Sequence, residues 1–361
     1  MIAVDGGNSK TDLALLSPGG ALLSWVRGPG CALGPRRAAE LIARLTAAAA
    51  AAARPGLAAA DPAPADLAEA HASCLLAGAD LPHQIEALHS AIAATGGYGS
   101  VSVDNDAWAL LRLGAPAGAP AVAVVCGAGL KCVARSGAIR YEFPSLGWQT
   151  GDLSGAGDFL AREAVRVAAR AEDGRGPATS LRDAVRARLG VPEVAQVAER
   201  LLDGTLREDR LGVLAPDVLA HAEAGDPPAT AIVRGLAEEV ATLARTARQR
   251  VEDVAAASVG EAAAASPGWT LVLGGGLFTD PSGRLLSAVR SADPLLAEEF
   301  TLRVADAPPV VGAALLGFDQ GEPVGPALER AVRAAFAGAR PLRVEETAEA
   351  AASGGAEAAA S

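Results

Sequence analysis

The sequence contains few aromatic residues and few cysteines, and both shortages limit what the protein can be. Phe, Trp and Tyr make up only 3% of the 361 residues, so the core must be built mainly from Ala, Val and Leu. The four cysteines, Cys31, Cys74, Cys126 and Cys132, form no C-x-x-C pair and do not cluster with the histidines. We therefore expect reduced, mostly buried thiols and no zinc or iron–sulfur site.

Long apolar runs and basic stripes are also missing. No stretch of about 18 apolar residues suits a membrane span, and Asp5 and Lys10 interrupt the apolar segment that a signal peptide needs. The formal net charge is −11 at pH 7. These features predict a cytoplasmic protein that binds neither nucleic acid nor a membrane.

What the chain does have is an acid followed by glycines and hydroxyl side chains near residue 1. An apolar run ends at Asp5, and a second apolar run begins at Leu13, which predicts a β-hairpin. The residues between them could bind an anion through backbone N–H groups and polar side chains: Gly6, Gly7, Asn8, Ser9, Lys10 and Thr11. The Asp5 carboxylate would repel a bare phosphate, so a divalent cation is expected between them, directly or through water. An ordinary hairpin turn is the alternative.

Strands and helices alternate along the chain, which indicates the α/β class. We predict strands at 2–5, 12–17, 21–27, 70–76, 101–103, 121–126, 132–135, 138–141, 269–273 and 300–304. Helices are predicted at 35–53, 82–94, 282–292, 308–319 and 325–337, and along most of 156–257. A loop is expected at 54–66, and a Gly/Ala/Pro-rich linker at 114–120 separates two halves.

Each half opens with a strand, a glycine turn and a strand, a recurrence that is consistent with internal duplication. We divide the chain into an N-terminal domain (1–115), a C-terminal domain (116–340) and a disordered tail (341–361).

Four further motifs follow predicted strands or hairpins, where ligands bind in open α/β sheets. Asp104 and Asp106 come after a strand and before a helix, so either could cap that helix or act as a general base. Glycines follow two buried strands, at 127–129 and at 274–276, without P-loop spacing. A glycine-rich loop at 147–158, which contains Asp152, leads into a helix.

In order and spacing, these five motifs resemble the superfamily of actin, sugar kinases and heat-shock ATPases. More closely, they resemble N-acetylglucosamine kinases and BadF/BadG/BcrA/BcrD-type ATPases, over roughly residues 1–320. The resemblance implies two ribonuclease-H-like (actin-like ATPase) domains that close over a cleft, with MgATP between them.

The resemblance also implies roles for individual residues. Residues 5–11 would form the first phosphate loop, with Asp5 organising Mg²⁺ through water, and Asp106 would be the catalytic acid of the Asn-Asp pair. The remaining nucleotide contacts would be Gly127, Ala128, Gly129 and Lys131 of the second phosphate loop, and Gly274, Gly275 and Gly276 of the adenosine loop. The sugar would be bound by Asn105, Asp106, Trp148, Gly151 and Asp152.

The chain departs from this family pattern in three places. Kinase members usually carry an Asn that contacts the sugar after the third strand, whereas residues 28–34 contain none. Ala128, Leu130 and Lys131 replace polar residues of the second phosphate loop, and Lys131 could either approach a phosphate or point to solvent. Leu153 and Ser154 follow Asp152 where many members have Glu-Gly.

The leading hypothesis is an ATP-dependent kinase that phosphorylates a sugar or amino sugar, with N-acetylglucosamine and its 6-phosphate as the first candidate pair. Asp106 would then take the hydroxyl proton, and the protein could form a homodimer. Two alternatives remain open: an ATPase that activates a partner enzyme, and a nucleotide- or sugar-sensing protein without turnover.

Overall fold

A computed structural model describes the chain in several stretches: residues 1–32, 34–53, 67–153, 155–259, 268–320 and 323–344. The predicted loop at 54–66, the predicted tail from 345 to 361 and Ser154 lie outside the described residues.

The described part of the chain contains both strands and helices, and five α-helices follow one another between residues 157 and 259. The strands are β1 (Ile2–Gly6), β2 (Lys10–Leu16), β3 (Leu22–Pro29), β4 (His71–Leu76), β5 (Ser100–Asp104), β6 (Ala121–Cys126), β7 (Leu130–Ser136), β8 (Ile139–Glu142), β9 (Trp269–Gly274), β10 (Phe300–Val304) and β11 (Leu342–Arg343). The α-helices are α1 (Pro35–Ala52), α2 (Pro82–Ala94), α3 (Asp106–Gly114), α4 (Gly157–Glu172), α5 (Leu181–Leu189), α6 (Ala195–Leu202), α7 (Ala215–Glu223), α8 (Pro227–Val259), α9 (Arg284–Ala292), α10 (Leu296–Glu299), α11 (Pro309–Phe318) and α12 (Pro326–Phe336). Short 3₁₀ helices occur at Leu67–Glu69, Trp148–Thr150, Glu208–Leu214 and Gly276–Phe278.

The chain folds into two compact units. The first unit contains Met1–Ala117 and the chain from Asp306 onward, and the second contains Gly118–Ala305. In the first unit, the sheet order is β11-β3-β2-β1-β4-β5. Strands β1, β2 and β3 form an antiparallel meander, whereas β4 and β5 run parallel to β1. Apolar side chains of β1 and β2 pack against Ile42 and Leu45 of α1.

The second unit repeats this topology. Its sheet order is β10-β9-β6-β7-β8, in which β6, β7 and β8 form the antiparallel meander and β9 and β10 run parallel to β6. In both units, therefore, the first strand lies between the second strand and the fourth. This shared order confirms the α/β class and the two ribonuclease-H-like domains that the resemblance implies, and it is the pattern expected of a duplication.

The C-terminal helices belong to a different unit from the one that the sequence predicts. The prediction places residues 116–340 in one domain, but α11 and α12 pack on the first unit. Gly312 of α11 lies so close to the Ala109 carbonyl of α3 that a Cβ there would overlap it. Long-range packing of this kind leaves no mark on local composition, so the linear pattern could not reveal it.

The first residues of the predicted tail are structured. Leu342 and Arg343 form β11 at the edge of the first sheet, parallel to β3. The Val344 N–H donates to the Arg27 carbonyl (2.8 Å), which holds the strand in place.

None of the helices in the described stretches has the length and apolar character needed to cross a bilayer.

Candidate active site

The first hairpin forms as the sequence predicts. Strands β1 and β2 are joined by residues 7–9, and the Gly7 N–H donates to the Lys10 carbonyl (2.9 Å) to close the turn. Asn8 and Ser9 are exposed, so polar groups of this turn are accessible to a ligand. Thr11, a predicted nucleotide contact, is instead fully buried in β2 and belongs to the support of the turn.

Asp5 lies near the end of β1 and is only 7% exposed. Burial, together with repulsion from the nearby carboxylates of Asp106 and Asp12, raises the pKa of its carboxyl to about 8. Lys10 and Arg27 act in the opposite direction without cancelling the effect. A negative charge at Asp5 is therefore unfavourable until a cation approaches.

Asp12 is the cross-strand partner of Asp5 and has a different environment, although the sequence assigned it no role. Arg27 Nε and Nη2 donate to its two carboxylate oxygens (2.7 and 2.8 Å), and the Trp25 indole N–H donates to Oδ1 (3.2 Å). Lys10 Nζ lies 3.4 Å from Oδ2. Cationic and indole donors thus compensate the Asp12 charge, whereas no bidentate partner of Asp5 occurs among the residues that the structure describes.

Asp106 is the first residue of α3 and immediately follows Asn105, the N-cap of that helix. Asn105 Oδ1 accepts the Ala107 N–H (2.9 Å), and Asn105 Nδ2 donates to Asp80 Oδ1 (2.9 Å). Asn105 is 2% exposed, so it positions the start of α3 rather than contacting a sugar as predicted. An amide, not a carboxylate, caps the helix, and Asp104 Oδ1 accepts the Asn105 N–H (3.0 Å).

These acids share one edge of the first sheet. Strands β1, β4 and β5 run parallel, so their carboxyl ends lie side by side, and this is where open α/β sheets bind ligands. Asp5 lies near the end of β1, Asp80 follows β4, and Asp106 follows β5. Sequence reasoning missed the role of Asp80, although its position after a buried strand was the available signal.

The second hairpin turn, residues 127–129, rests on the start of α4. The Ala156 N–H donates to the Ala128 carbonyl (3.0 Å), and the Gly157 N–H donates to the Gly127 carbonyl (2.8 Å). At Gly155 a Cβ would lie 2.6 Å from the Ala128 carbonyl oxygen, which explains the glycine there. The glycine-rich loop therefore supports the predicted second phosphate loop through hydrogen bonds to its carbonyl groups.

Lys131 takes neither of the two positions that the sequence suggested. Its ammonium pairs with Glu142 Oε1 (2.7 Å) and donates to the Phe143 carbonyl (2.8 Å). Lys131 is 7% exposed. Because Glu142 offsets its charge, Lys131 is a structural residue of β7 rather than a phosphate contact.

The glycines after β9 adjoin the second hairpin. Gly274 pairs with Val125 in the parallel register of β9 and β6. Gly275 has φ of +92°, and a Cβ there would overlap the Cys126 carbonyl. Gly276 begins a 3₁₀ helix and has open space around its Cα. The predicted adenosine loop thus lies at the same sheet edge as the second phosphate loop.

A cavity of about 390 Å³ within the second unit is lined by two of the five predicted sugar contacts, Trp148 and Asp152. Its described lining includes Gly129, Trp148 and Asp152, together with Arg162, which the sequence analysis missed. Trp148 is 75% exposed, and Asp152 accepts a hydrogen bond from the Thr150 hydroxyl. Gly151, predicted to touch the sugar, instead provides a left-handed turn with φ of +87°.

The first unit fits the magnesium ion that the resemblance implies. Among the described residues, no group of three or more His, Cys, Asp or Glu side chains is arranged to hold a metal ion by itself. Mg²⁺, however, is commonly held by one or two carboxylates together with water and phosphate oxygens. Asp5 fits that donor set, because a cation would offset the burial and the repulsion from Asp106 that raise the pKa of Asp5.

Known proteins share this fold. A proposed N-acetylglucosamine kinase from Chromobacterium violaceum superposes with a TM-score of 0.61 at 23% identity, over 88% of this chain and 98% of that one. Another from Porphyromonas gingivalis gives a TM-score of 0.57 at 15% identity, over 89% and 99%. No curated protein matches the sequence.

The structural likenesses show the fold, and a family model shows the family. The model of the BadF/BadG/BcrA/BcrD ATPase family matches residues 2–317, which is most of the chain and includes all five motifs. On this evidence, the protein belongs to the BadF/BadG/BcrA/BcrD ATPase family.

Proposed function

We propose that this protein transfers the γ-phosphoryl group of ATP to a hydroxyl of a sugar or amino sugar. N-acetylglucosamine, phosphorylated on its 6-hydroxyl, is the first candidate acceptor. Membership in an ATPase family supports ATP as the nucleotide. The two solved structures of similar fold, both proposed N-acetylglucosamine kinases, support the choice of acceptor.

The observation that carries the proposal is the electrostatic coupling of Asp5 and Asp106 beside a glycine turn. Phosphoryl transfer requires neutralisation of phosphate charge, positioning and removal of the hydroxyl proton. Asp5 is a buried carboxylate whose charge needs a cation, and Asp106 is a half-buried carboxylate at the start of a helix. Asp5 is therefore suited to hold the metal ion, and Asp106 is suited to accept the hydroxyl proton.

In this reaction, each of the predicted contacts has a defined role. Asp106 accepts the proton of the attacking hydroxyl, and Asp5 orients Mg²⁺ through water. Mg²⁺, when bound, neutralises charge on the phosphate oxygens. The turns at 7–9 and 127–129 offer backbone N–H groups to phosphate, and Lys10, which is 44% exposed, contributes a positive charge beside the first turn.

The cavity in the second unit provides contacts of the kind that a sugar requires. Trp148 presents an exposed aromatic face on which the apolar side of a sugar ring can pack. Asp152 provides acceptor oxygens for sugar hydroxyl groups. We propose that these two residues, rather than Asn105, select the acceptor.

A sensing protein without turnover is the second candidate, and the ion pair of Lys131 with Glu142 favours it. This pair leaves the second phosphate turn without the lysine charge, which weakens phosphate binding there. An activator with a surface iron–sulfur cluster is disfavoured, because all four cysteines are buried and unpaired.

The test is ADP release from ATP and Mg²⁺ in the presence of a panel of hexoses, amino sugars and N-acetylated amino sugars. We expect one class to stimulate ADP release well above the sugar-free rate and to yield a phosphorylated sugar by mass spectrometry. Tight ATP binding without stimulation by any sugar would support the sensing function instead.

A further inference from the structure

Gly30 and Cys31, the two residues that follow β3, pack against the first hairpin turn and support it. The Cys31 N–H donates to the Gly7 carbonyl (3.1 Å). At Gly30, a Cβ would overlap the carbonyl of Asn8, so the two backbones are in direct contact. Residues 30 and 31 therefore fix both the first and the second residue of the turn.

The Cys31 side chain adds a second constraint. A Cβ at Gly6 would overlap Cys31 Sγ, and it would lie 2.8 Å from Leu76 Cδ2 and 3.4 Å from Cys31 Cβ. The thiol thus occupies the space directly above the Gly6 Cα. Gly6 does not have a positive φ, so this position requires glycine because of the neighbouring sulfur and not because of its backbone conformation.

The thiol acts here by its volume and not by its reactivity. Cys31 is 3% exposed, and burial raises its pKa to about 11, with Asp106 and Asp5 contributing in the same direction. A neutral thiol is a poor nucleophile. The thiol of Cys31 therefore acts on the site through the space that it fills.

We propose that Cys31 is a positioning residue that sets the path of the first phosphate turn, and this rests on the proposed ATP-dependent function. The sequence pattern makes residues 28–34 the place where an acceptor contact is expected. In this chain, Cys31 serves the nucleotide instead. Hydrogen bonds from N–H groups to phosphate require donor–acceptor distances of about 2.7–3.2 Å, so a small displacement of the turn removes them.

The experiment is a double-mutant cycle with Gly6→Ala and Cys31→Ala, measured as the dissociation constant of MgATP by calorimetry. Gly6→Ala should weaken binding about ten-fold, the loss that corresponds to one hydrogen bond to phosphate. Cys31→Ala alone should weaken binding about three-fold, because the turn loses the sulfur that packs on Gly6 but keeps the backbone hydrogen bond to Gly7. The double variant should bind within about three-fold of the wild type, because removal of the sulfur makes room for the new methyl group.

Cys74→Ala is the matched control, since Cys74 is a buried cysteine of the adjacent β4 and is not among the three atoms nearest to a Cβ at Gly6. It should not rescue Gly6→Ala. A double variant that binds MgATP as weakly as Gly6→Ala overturns the proposal, and so does equal rescue by Cys74→Ala.

The free energy of unfolding separates a positioning role from a purely structural one. If Cys31→Ala restores the stability of Gly6→Ala but not its MgATP affinity, the positioning role is wrong. A wild-type protein that binds no MgATP would overturn the proposed function and this inference together, whereas failed rescue in a binding-competent protein overturns this inference alone.

Discussion

Asp5 is held in an environment that opposes its charge. It is almost fully buried, and this burial, with repulsion from the carboxylates of Asp106 and Asp12, raises its pKa to about 8. Sites that hold a charged group in this way are common where a ligand is to be bound. The protein without a ligand should therefore be less stable than it would be with a neutral side chain at position 5.

Asp5→Asn should stabilise the ligand-free protein in a pH-dependent way. The folded state keeps a proton on Asp5 up to about pH 8, whereas the unfolded chain loses it near the ordinary aspartate pKa of 3.8. The free energy of unfolding therefore falls as pH rises between these values. We expect the melting temperature of the variant to exceed that of the wild type by about 3 °C or more at pH 8. This advantage should be smaller at pH 5.

Thermal melting of both proteins at pH 5, 6, 7 and 8 is the measurement. Asp5→Asn should also lose stabilisation by MgATP, which serves as the internal control. Melting curves that shift in parallel for both proteins over this pH range would contradict the burial argument.

At the scale of residues, the sequence identified the acids but not their partners. Asp5 and Asp106 stand out because each carboxylate comes at the end of a strand, and that pattern is local. Asn105 is held by a hydrogen bond to Asp80 of another loop, and the ammonium of Lys131 is held by an ion pair with Glu142 of β8. Neither pairing could be predicted, because both depend on which strands become neighbours.

At the scale of elements, the two hairpins were the most predictable part of the fold. Each combines apolar strands with glycines in the turn, and both form within a few residues of the predicted positions. The sequence did not show why glycine is needed at particular positions. Gly155 and Gly275 are needed because a carbonyl of a neighbouring element occupies the space that a side chain would fill.

Gly275→Ala should destabilise the protein far more than Gly276→Ala. Gly275 has φ of +92° and lies against the Cys126 carbonyl, whereas Gly276 has neither a positive φ nor an atom within 4 Å of its would-be Cβ. A backbone with φ of +92° and ψ of +166° is essentially restricted to glycine and costs an alanine about 1–3 kcal/mol, and the overlap adds to this. We expect a fall in melting temperature of about 4 °C or more for Gly275→Ala and little change for Gly276→Ala. Equal effects would show that the close contact is not needed.

At the scale of the whole molecule, one topology is used twice with different chain connectivity. The second unit is continuous in sequence, and its own core contains residues of every sheet strand except β8, whose Ile139 and Tyr141 pack against that core. The first unit needs two separate segments, since α11 packs against β1 and α3 and β11 pairs with β3. The order of the motifs revealed two halves, but it could not show that the chain from Asp306 onward packs on the first unit again.

This connectivity predicts different behaviour of fragments. Residues 118–305 expressed alone should be folded and should melt cooperatively, as followed by circular dichroism. Residues 1–117 alone should not fold, because the sheet face under α11 would be uncovered, and adding residues 306–361 as a second chain should restore the fold. Cooperative melting of residues 1–117 alone would contradict this division.

The central claim is that Asp106 removes a proton from a sugar hydroxyl during transfer from ATP. The most direct measurement compares the wild type with Asp106→Asn for formation of phosphorylated sugar by mass spectrometry and for MgATP affinity by calorimetry. The account predicts a rate about 10²–10⁴-fold lower for the variant, with MgATP affinity changed by less than about three-fold. Sugar phosphorylation by Asp106→Asn at the wild-type rate would contradict it.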